Sequence, residues 1–287
     1  MQILTDSGYD LSPEQLSGFQ IHQVPLFINL NGTTYRSGID ITIDEFYQLL
    51  AETEEMPTTS LPSPGDFVET YQKLSEEDPD ILSVHISSGL SSTFRSAKTG
   101  ADMVPEAKVT VYDTKTLSVG MGWHVEAAAR MAKAGWPEDK IIKTLDQIHE
   151  VSDLMYTLPE LKYLIHGGRI SHIKGLVAQV LRIKPLISVG KEDGKYYQKS
   201  QQRTFKKAMQ GIVSQVASEI TPGTPLRVQV AHANNPDGAD QLQEFFDKEF
   251  ECKFLPHCSI APVLGAHTGP GLVGAAYAPL ENYPELP

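Results

Sequence analysis

The sequence predicts an α/β protein in two parts: an N-terminal open, mostly parallel sheet with helices on both faces, and a C-terminal α+β part on a mixed or antiparallel sheet. Three observations carry this. Short β-branched runs alternate with capped amphipathic helices through the first half, the pattern of a parallel sheet covered on both sides. The second half instead holds a hairpin signal, "GKEDGK", and helices interposed between isolated strands. Between the halves "YTLPEL" interrupts the pattern, which puts a boundary near residues 155–165 and divides the chain into 1–160 and 161–287.

Taken in order, Ile3 and Leu4 open a strand that empties into "TDSG" (Thr5, Asp6, Ser7, Gly8). In "SPEQL" Ser12 is an N-cap, Pro13 takes the first helical position and Gln15 the third. Val24–Leu30 reads as a strand, Asn31-Gly32 as a tight hairpin turn and Thr33–Tyr35 as its return. Thr42 and Glu45 form a capping box, with Phe46, Leu49 and Leu50 on one face of the helix behind it. Ser63 and Pro64 start another helix, striped by Phe67, Tyr71 and Leu74. Asp80–Ile86 is a strand that breaks into "SSGLSS", with a helix from Ser91 onward. Lys108–Asp113 is a strand, Gly122–Ala134 an alanine-rich helix and Pro137–Val151 an amphipathic one. Beyond the boundary, Leu181–Val189 and Tyr196–Ser200 flank a hairpin tip at Asp193-Gly194, and Leu226–His232 is a strand. Thr204–Ile220 and Ala239–Phe250 are helices, and "SIAPVLGAHTGPGLVGAAYAP" reads as two short strands about a glycine-rich turn.

Composition bounds the function. The formal net charge of −12 argues against nucleic-acid or anionic-membrane binding driven by electrostatics. No apolar stretch approaches the roughly 20 residues that span a bilayer, and the N-terminus lacks the basic region and apolar core of a secretion signal. Two cysteines, Cys252 and Cys258, are too few for a disulfide framework, so a reduced, cytoplasmic setting is expected.

Two hydroxyl clusters invite chemistry. Five serines and threonines fall within Ser87–Thr93, at the carboxyl end of a strand and the start of a helix. Ligands of open α/β sheets sit at such strand ends, and a helix N-terminus offers unpaired amides to an anion. Simple helix capping explains the same serines. Thr58, Thr59 and Ser60 form the second cluster, in a loop between prolines, and Thr5, Asp6, Ser7 and Gly89 fall at the same strand ends. "GAHTGPGLVG" sets His267 among glycines, including Gly269 and Gly271, where the backbone comes close to something or turns left-handed. Arg169 in "HGGRIS" is a surface arginine, a partner contact or a phosphate clamp. No GxSxG elbow, GxxxxGK[ST] loop, GxGxxG turn or compact zinc spacing is present, and His124 reads as a packing or surface residue.

With "LTDSGYDL", "TTSLPSP", "SSGLSSTFRSA", "YLIHGGRIS" and "HTGPGLVG" in this order, the sequence resembles the DegV family over essentially its whole length. These are fatty-acid-binding proteins that serve as binding subunits of bacterial fatty-acid kinase. The resemblance implies a long-chain fatty acid between two α/β domains, its tail buried in residues 1–160 and its carboxylate closed over by 161–287. It assigns the carboxylate to Thr59 or its neighbour Ser60, to Ser91 and to His267, with Arg169 contacting the kinase. Ser92 stands where the family usually has glycine and is a further candidate, as an added donor to the carboxylate or a residue narrowing the pocket mouth, and Gly8 stands where the family usually has a hydroxyl residue. The implied partner is a dihydroxyacetone-kinase-like enzyme that works with ATP and makes an acyl phosphate destined for phospholipid synthesis. The protein itself is expected to hold no metal or cofactor, to supply no catalytic residue and to touch the membrane surface transiently. Burying a 16-carbon tail yields on the order of 10 kcal/mol before costs, so the tail supplies affinity and the polar cluster orientation. Phe27, Ile28, Met121 and Trp123 are candidates to line the tunnel. Two rivals stand beside this reading: a lipid-responsive sensor or scaffold, and a stand-alone hydrolase or phosphotransferase pairing His267 with Ser91.

Overall fold

The computed structural model describes residues 1–173 and 183–287. The chain begins with β1 (Gln2–Asp6), α1 (Pro13–Leu16), β2 (Ile21–Val24), β3 (Phe27–Leu30), β4 (Thr33–Arg36), α2 (Ile43–Glu52) and β5 (Thr58–Ser60). It proceeds through α3 (Pro64–Ser75), β6 (Asp80–His85), α4 (Thr93–Asp102), β7 (Lys108–Asp113), α5 (Ser118–Lys133) and α6 (Glu138–Val151). Then follow β8 (Asp153–Thr157), α7 (Lys162–His166), a 3-10 turn (Arg169–His172), β9 (Lys184–Val189) and β10 (Tyr196–Gln202). The chain ends with α8 (Phe205–Glu219), β11 (Pro225–His232), α9 (Pro236–Asp247), β12 (Glu251–Phe254), β13 (Cys258–Ser259), α10 (Pro262–Thr268) and β14 (Val273–Pro279).

Local chemistry sets most of these boundaries. Ser12, Thr42 and Ser63 accept from the amides of Gln15, Glu45 and Asp66, whose side chains return the bond, so three capping boxes open α1, α2 and α3. Asn31 and Gly32 both take positive φ, 53° and 72°, and turn β3 tightly into β4. Elsewhere the chain departs from expectation. Pro25 and Leu26 break the run from Val24 to Leu30 into two strands, and Thr58–Ser60 pairs with β3 as a strand rather than forming a loop. The alanine-rich helix starts at Ser118, a turn early, and the helix expected from Ser91 starts at Thr93. The tail expected as two strands contains helix α10, entered through Pro262 and stopped by Gly269 at φ 68°. Leu181 and Arg182, the first residues of the strand expected over Leu181–Val189, lie outside the described residues.

Among the described residues three sheets form. The first, in the order β2-β1-β6-β7, is wholly parallel. A small antiparallel sheet, β4-β3-β5, lies in the same half. The third runs β10-β9-β8-β14-β11-β12, with β13 beside β11, and mixes parallel and antiparallel pairs. The predicted parallel first sheet and mixed second part are therefore both present. Sheet membership changes at Ser152, since β8 already pairs with β14 and β9.

Both large sheets are buried on both faces. Leu4 and Ile81 pack with Phe67, Tyr71 and Leu74 under α3 and α4, while Ile3, Leu82 and Val84 face α5. On the third sheet Met155, Val228 and Tyr277 meet α8 and α9, and Leu154, Tyr156 and Ala276 face inward. Helix α5 packs on β1 and β6 of one sheet and on β11 and β14 of the other. Every residue from Ser118 to Ala129 is buried, which accounts for a helix rich in glycine, alanine and other apolar residues on all sides, with His124 and Glu126 buried among them. Gly122 allows this: a Cβ there would collide with the Asp10 carbonyl oxygen and the Leu11 side chain.

Polar groups also join the two sheets. Asp10, 4% exposed, accepts from the Ser118 hydroxyl at the start of α5 and from the Ala261 amide before α10, 2.7 Å away. Glu126 on α5 accepts from Gln15 and Arg130, and Gln229 on β11 donates to Gln15 and accepts from the Trp123 indole. Each of these four buried residues, Asp10, Gln15, Glu126 and Gln229, thus finds partners.

Two outcomes follow. Gly122→Ala, which raises helix propensity in an exposed helix, is expected instead to destabilise the protein by about 1–3 kcal/mol through overpacking, read by urea denaturation. Burial lifts the Asp10 carboxyl to about 7, against the downward pull of Ser118 and Ala261. The folded state therefore holds this proton more tightly than the unfolded chain. Its contribution to stability is full below about pH 4 and is lost as pH rises through about 7. Asp10→Asn removes that decline, so unfolding measured at stepped pH should show the variant gaining on the parent across this window.

Candidate functional site

Thr59 sits at the centre of β5, Ser91 in the loop between β6 and α4, and His267 near the end of α10. Helix α10 packs against α2, β3 and β5. That docking brings together residues 208 positions apart: Thr59 Oγ1 and His267 Nε2 lie 2.7 Å from each other. With Ser91 and Arg169 they line a void of about 460 Å³, part of it open to solvent, whose apolar wall includes Leu26, Ile86 and Val263. A second void of about 390 Å³ lies between the start of α5 and the third sheet, against Leu154, Tyr156, Ile260 and Leu272. Leu117, Tyr196, Leu264 and Thr268 line both, so the two abut as one slot with a polar end and an apolar remainder. The slot runs between the two halves, whereas the sequence reading has the tail within residues 1–160.

The polar end is electrostatically specific. Burial first, then the neighbouring Arg169 and His166, holds His267 down at about 3, so its ring is neutral at physiological pH. Its Nδ1 is buried without a hydrogen-bond partner, packed against Gly167, where any Cβ would strike the ring. The Arg169 guanidinium donates from Nη1 to the Gly167 carbonyl at 2.7 Å, and burial shifts its own pKa downward. Among the described residues lining this void, Arg169 carries the charge. Read from sequence as a partner contact, it is also part of the wall.

The other expected residues divide clearly. Ser91 Oγ lies 2.8 Å from Thr93 Oγ1 and accepts from the Thr93 amide, so this serine both starts α4 and lines the void. Ser60 and Ser92 are exposed and line neither void; Ser92 is reached by Arg95 Nη2 at 3.4 Å. The "TDSG" residues stand behind the wall. Asp6 accepts from the Gly8 and Ile86 amides and faces His85 Nδ1 at 2.9 Å; Ser7 accepts from the Leu26 amide. Since Leu26 and Ile86 line the void, Asp6 and Ser7 fix its wall. Thr5 is buried and bonds to the Asp6 carbonyl. Behind Asp6 the row continues from His85 Nε2 to Ser83 at 2.6 Å and on to the Tyr71 hydroxyl at 2.9 Å. This resembles a serine triad, but Ser83 is fully buried and closed to any substrate. Gly89 presses against the β9–β10 tip at Asp193 and Gly194, where Ser87 donates to the Gly194 carbonyl at 2.8 Å. Gly269 and Gly271 let the chain after α10 pass the Tyr163 ring and Pro159.

Sequence reasoning missed Tyr196, Leu117, Leu264 and Thr268, which form the waist of the slot. Nothing in a strand such as "YYQKSQQ" marks one tyrosine as facing a cavity. None of Phe27, Ile28, Met121 and Trp123 lines either void; Trp123 instead packs edge-on against Tyr283 and under Arg227. Among the described residues no cluster of three His, Cys, Asp or Glu is arranged to hold a metal ion, and no helix is long and apolar enough to cross a membrane.

Known proteins share this architecture and these segments. Residues 1–280 match the family model for uncharacterised proteins of the DegV family. A DegV domain-containing protein of Staphylococcus aureus (strain MRSA252) is 36% identical over 272 residues, 95% of this chain and 96% of that one. The crystal structure of DegV from Bacillus subtilis, a fatty acid binding protein, superposes with a TM-score of 0.86 at 29% identity over 96% of this chain and 98% of its own. A DegV family protein from Thermus thermophilus, described for its fatty acid binding, gives 0.86 at 29% identity over 97% of this chain and 99% of its own. Matched from the first strand to the last by the family model and over 95% of its length by a relative 36% identical, this chain belongs to the DegV family.

Proposed function

We propose that this protein binds a long-chain fatty acid, with the carboxylate at Thr59, Ser91 and His267 and the tail along the slot between the sheets. One observation carries the reading: a cavity polar at one end, where Thr59, Ser91, Arg169 and His267 sit, and apolar beyond. In this reading neutral His267 keeps its proton on Nε2 and donates it to Thr59 Oγ1, which frees the Thr59 hydroxyl to donate to the carboxylate. Ser91 adds a second hydroxyl, and Arg169 sets the sign of the field. The stand-alone hydrolase is disfavoured by geometry: His267 faces Thr59 rather than Ser91, and no carboxylate orients its Nδ1.

The reading extends to delivery. Thr59, Ser91, Arg169 and His267 are each only half-buried, and the apolar side chains of Leu61 and Ile165, close to them in sequence, are exposed. Such a rim suits docking of a separate ATP-dependent, dihydroxyacetone-kinase-like fatty-acid kinase, to which this chain would present the carboxylate and from which it would carry the acyl phosphate toward phospholipid synthesis.

Organic extraction of the purified protein followed by mass spectrometry should release long-chain acids; a preparation loaded with fatty acid that retains none overturns the reading. Thr59→Val, which keeps shape and removes the hydroxyl, should weaken acid binding roughly tenfold or more, the scale of one hydrogen bond to a charged group. Arg169→Glu tests the extension. Acid retained but no acyl phosphate formed with kinase and ATP marks a docking residue, whereas acid lost marks a headgroup residue and removes the support for docking here.

A further inference from the structure

The slot has a second polar neighbour at its inner end. A void of about 320 Å³, part of it open to solvent, is lined by Thr116, His124, His149, Ser152 and Lys191, between the start of α5 and the edge of β8 and β9. Leu154 lines both this chamber and the apolar part of the slot. Thr116 and Gly120 face the chamber while Leu117, Ser118 and Val119 between them face the slot. One turn of backbone and one leucine side chain thus separate an apolar channel from a polar room.

His124 gives that room its chemistry. It is fully buried, with Nδ1 2.8 Å from the Gly120 carbonyl oxygen. A carbonyl only accepts, so Nδ1 carries the proton and Nε2 presents a lone pair. That Nε2 is buried with no hydrogen-bond partner, an arrangement native proteins rarely leave unfilled. His149, its ring centroid 6.4 Å from that of His124, points Nε2 at the Lys191 carbonyl 3.1 Å away and so keeps Nδ1 as a second acceptor. Burial and this second ring hold His124 down at about 4, which keeps it an acceptor. The Lys191 ammonium is already engaged by Asp153 at 3.3 Å and by the Glu150 carbonyl. Lys115 and Asp153 also line the chamber, and the two imidazole acceptors beside them suit a hydroxyl donor.

We propose that this chamber receives a hydroxyl group at or near the far end of the acyl chain, its O–H donating to His124 Nε2, so that terminally hydroxylated long-chain acids are ligands of this protein. The proposal rests on the fatty-acid reading above and adds a second polar contact to it. A hydroxyl in mid-chain would lie beside Leu272 and Ile260, out of reach of His124, with Tyr156, Tyr196 and Thr268 as the polar side chains of that stretch. One at the end would reach past Leu154 to a waiting acceptor.

The test compares three series of saturated acids from lauric to stearic: plain, hydroxylated in mid-chain and hydroxylated on the terminal carbon. Binding of each to delipidated protein is measured by calorimetry. Expected, at one chain length, is a terminal hydroxyl that binds at least as tightly as the plain acid and more tightly than the mid-chain hydroxyl. In His124→Phe, checked for folding by its denaturation midpoint, that terminal hydroxyl should lose roughly tenfold while the plain acid is unaffected. The comparison within the unaltered protein stands even should the variant fail to fold. If plain acids bind and the terminal hydroxyl is penalised at every length, the chamber's assignment is overturned and the fatty-acid reading stands. If no acid binds, both fall.

Discussion

Helix α5 is the constraint on which the molecule turns. Packed between two sheets, α5 has no solvent face from Ser118 to Ala129, so its polar side chains there must find partners inside the protein, and glycine must stand where the backbone of Asp10 crosses it. The two halves therefore share one core, Ile3 and Leu82 on one side and Leu154 and Ala276 on the other. Separating them would strip apolar surface from both sheets at once, a cost that rises with every square ångström exposed. The slot is consequently a fixed gap at the end of this helix, not a cleft between hinged lobes. Its width is set where the first turn of α5, with Ser118 held at φ 53°, meets Tyr196 and Leu264.

The polar end follows a different logic. His267 is made neutral by burial and by Arg169, and is then used as a bonding partner for Thr59. A charged imidazole there would be repelled by Arg169 and would cost desolvation besides. One cation therefore lines this end of the slot, itself tied to the Gly167 carbonyl. Asp6 and Ser7 are spent entirely on holding Ile86 and Leu26 in place, so their strand-end position serves the wall and not the ligand.

Much of this was legible in the sequence, for reasons of range. Capping boxes, the Asn31-Gly32 turn and the alternation of strands and helices are local signals, and each produced the element it announced. The hydroxyls of Thr59 and Ser91 and the ring of His267 stood out because polar residues crowded at strand ends and among glycines need a reason. Strand β8 was hidden because "DLMYT" follows α6 without a turn signal, and α10 because its glycines outweighed its Pro262 start. Arg169 and Tyr196 could be assigned to the wall only by tertiary packing, since neither has a neighbour in sequence that betrays a cavity. His124 looked like ordinary packing because nothing local reveals that one of its nitrogens is left without a donor.

The contact between Thr59 and His267 spans 208 residues. Early in synthesis, the β5 half of the site has left the ribosome while the α10 half has not yet been translated, and such long-range closures form late because chain entropy opposes them. A nascent or truncated chain can thus complete its parallel sheet and still possess no headgroup site. The proposed cargo could then be taken up only by a finished molecule, and occupancy would itself report that the C-terminal part has docked.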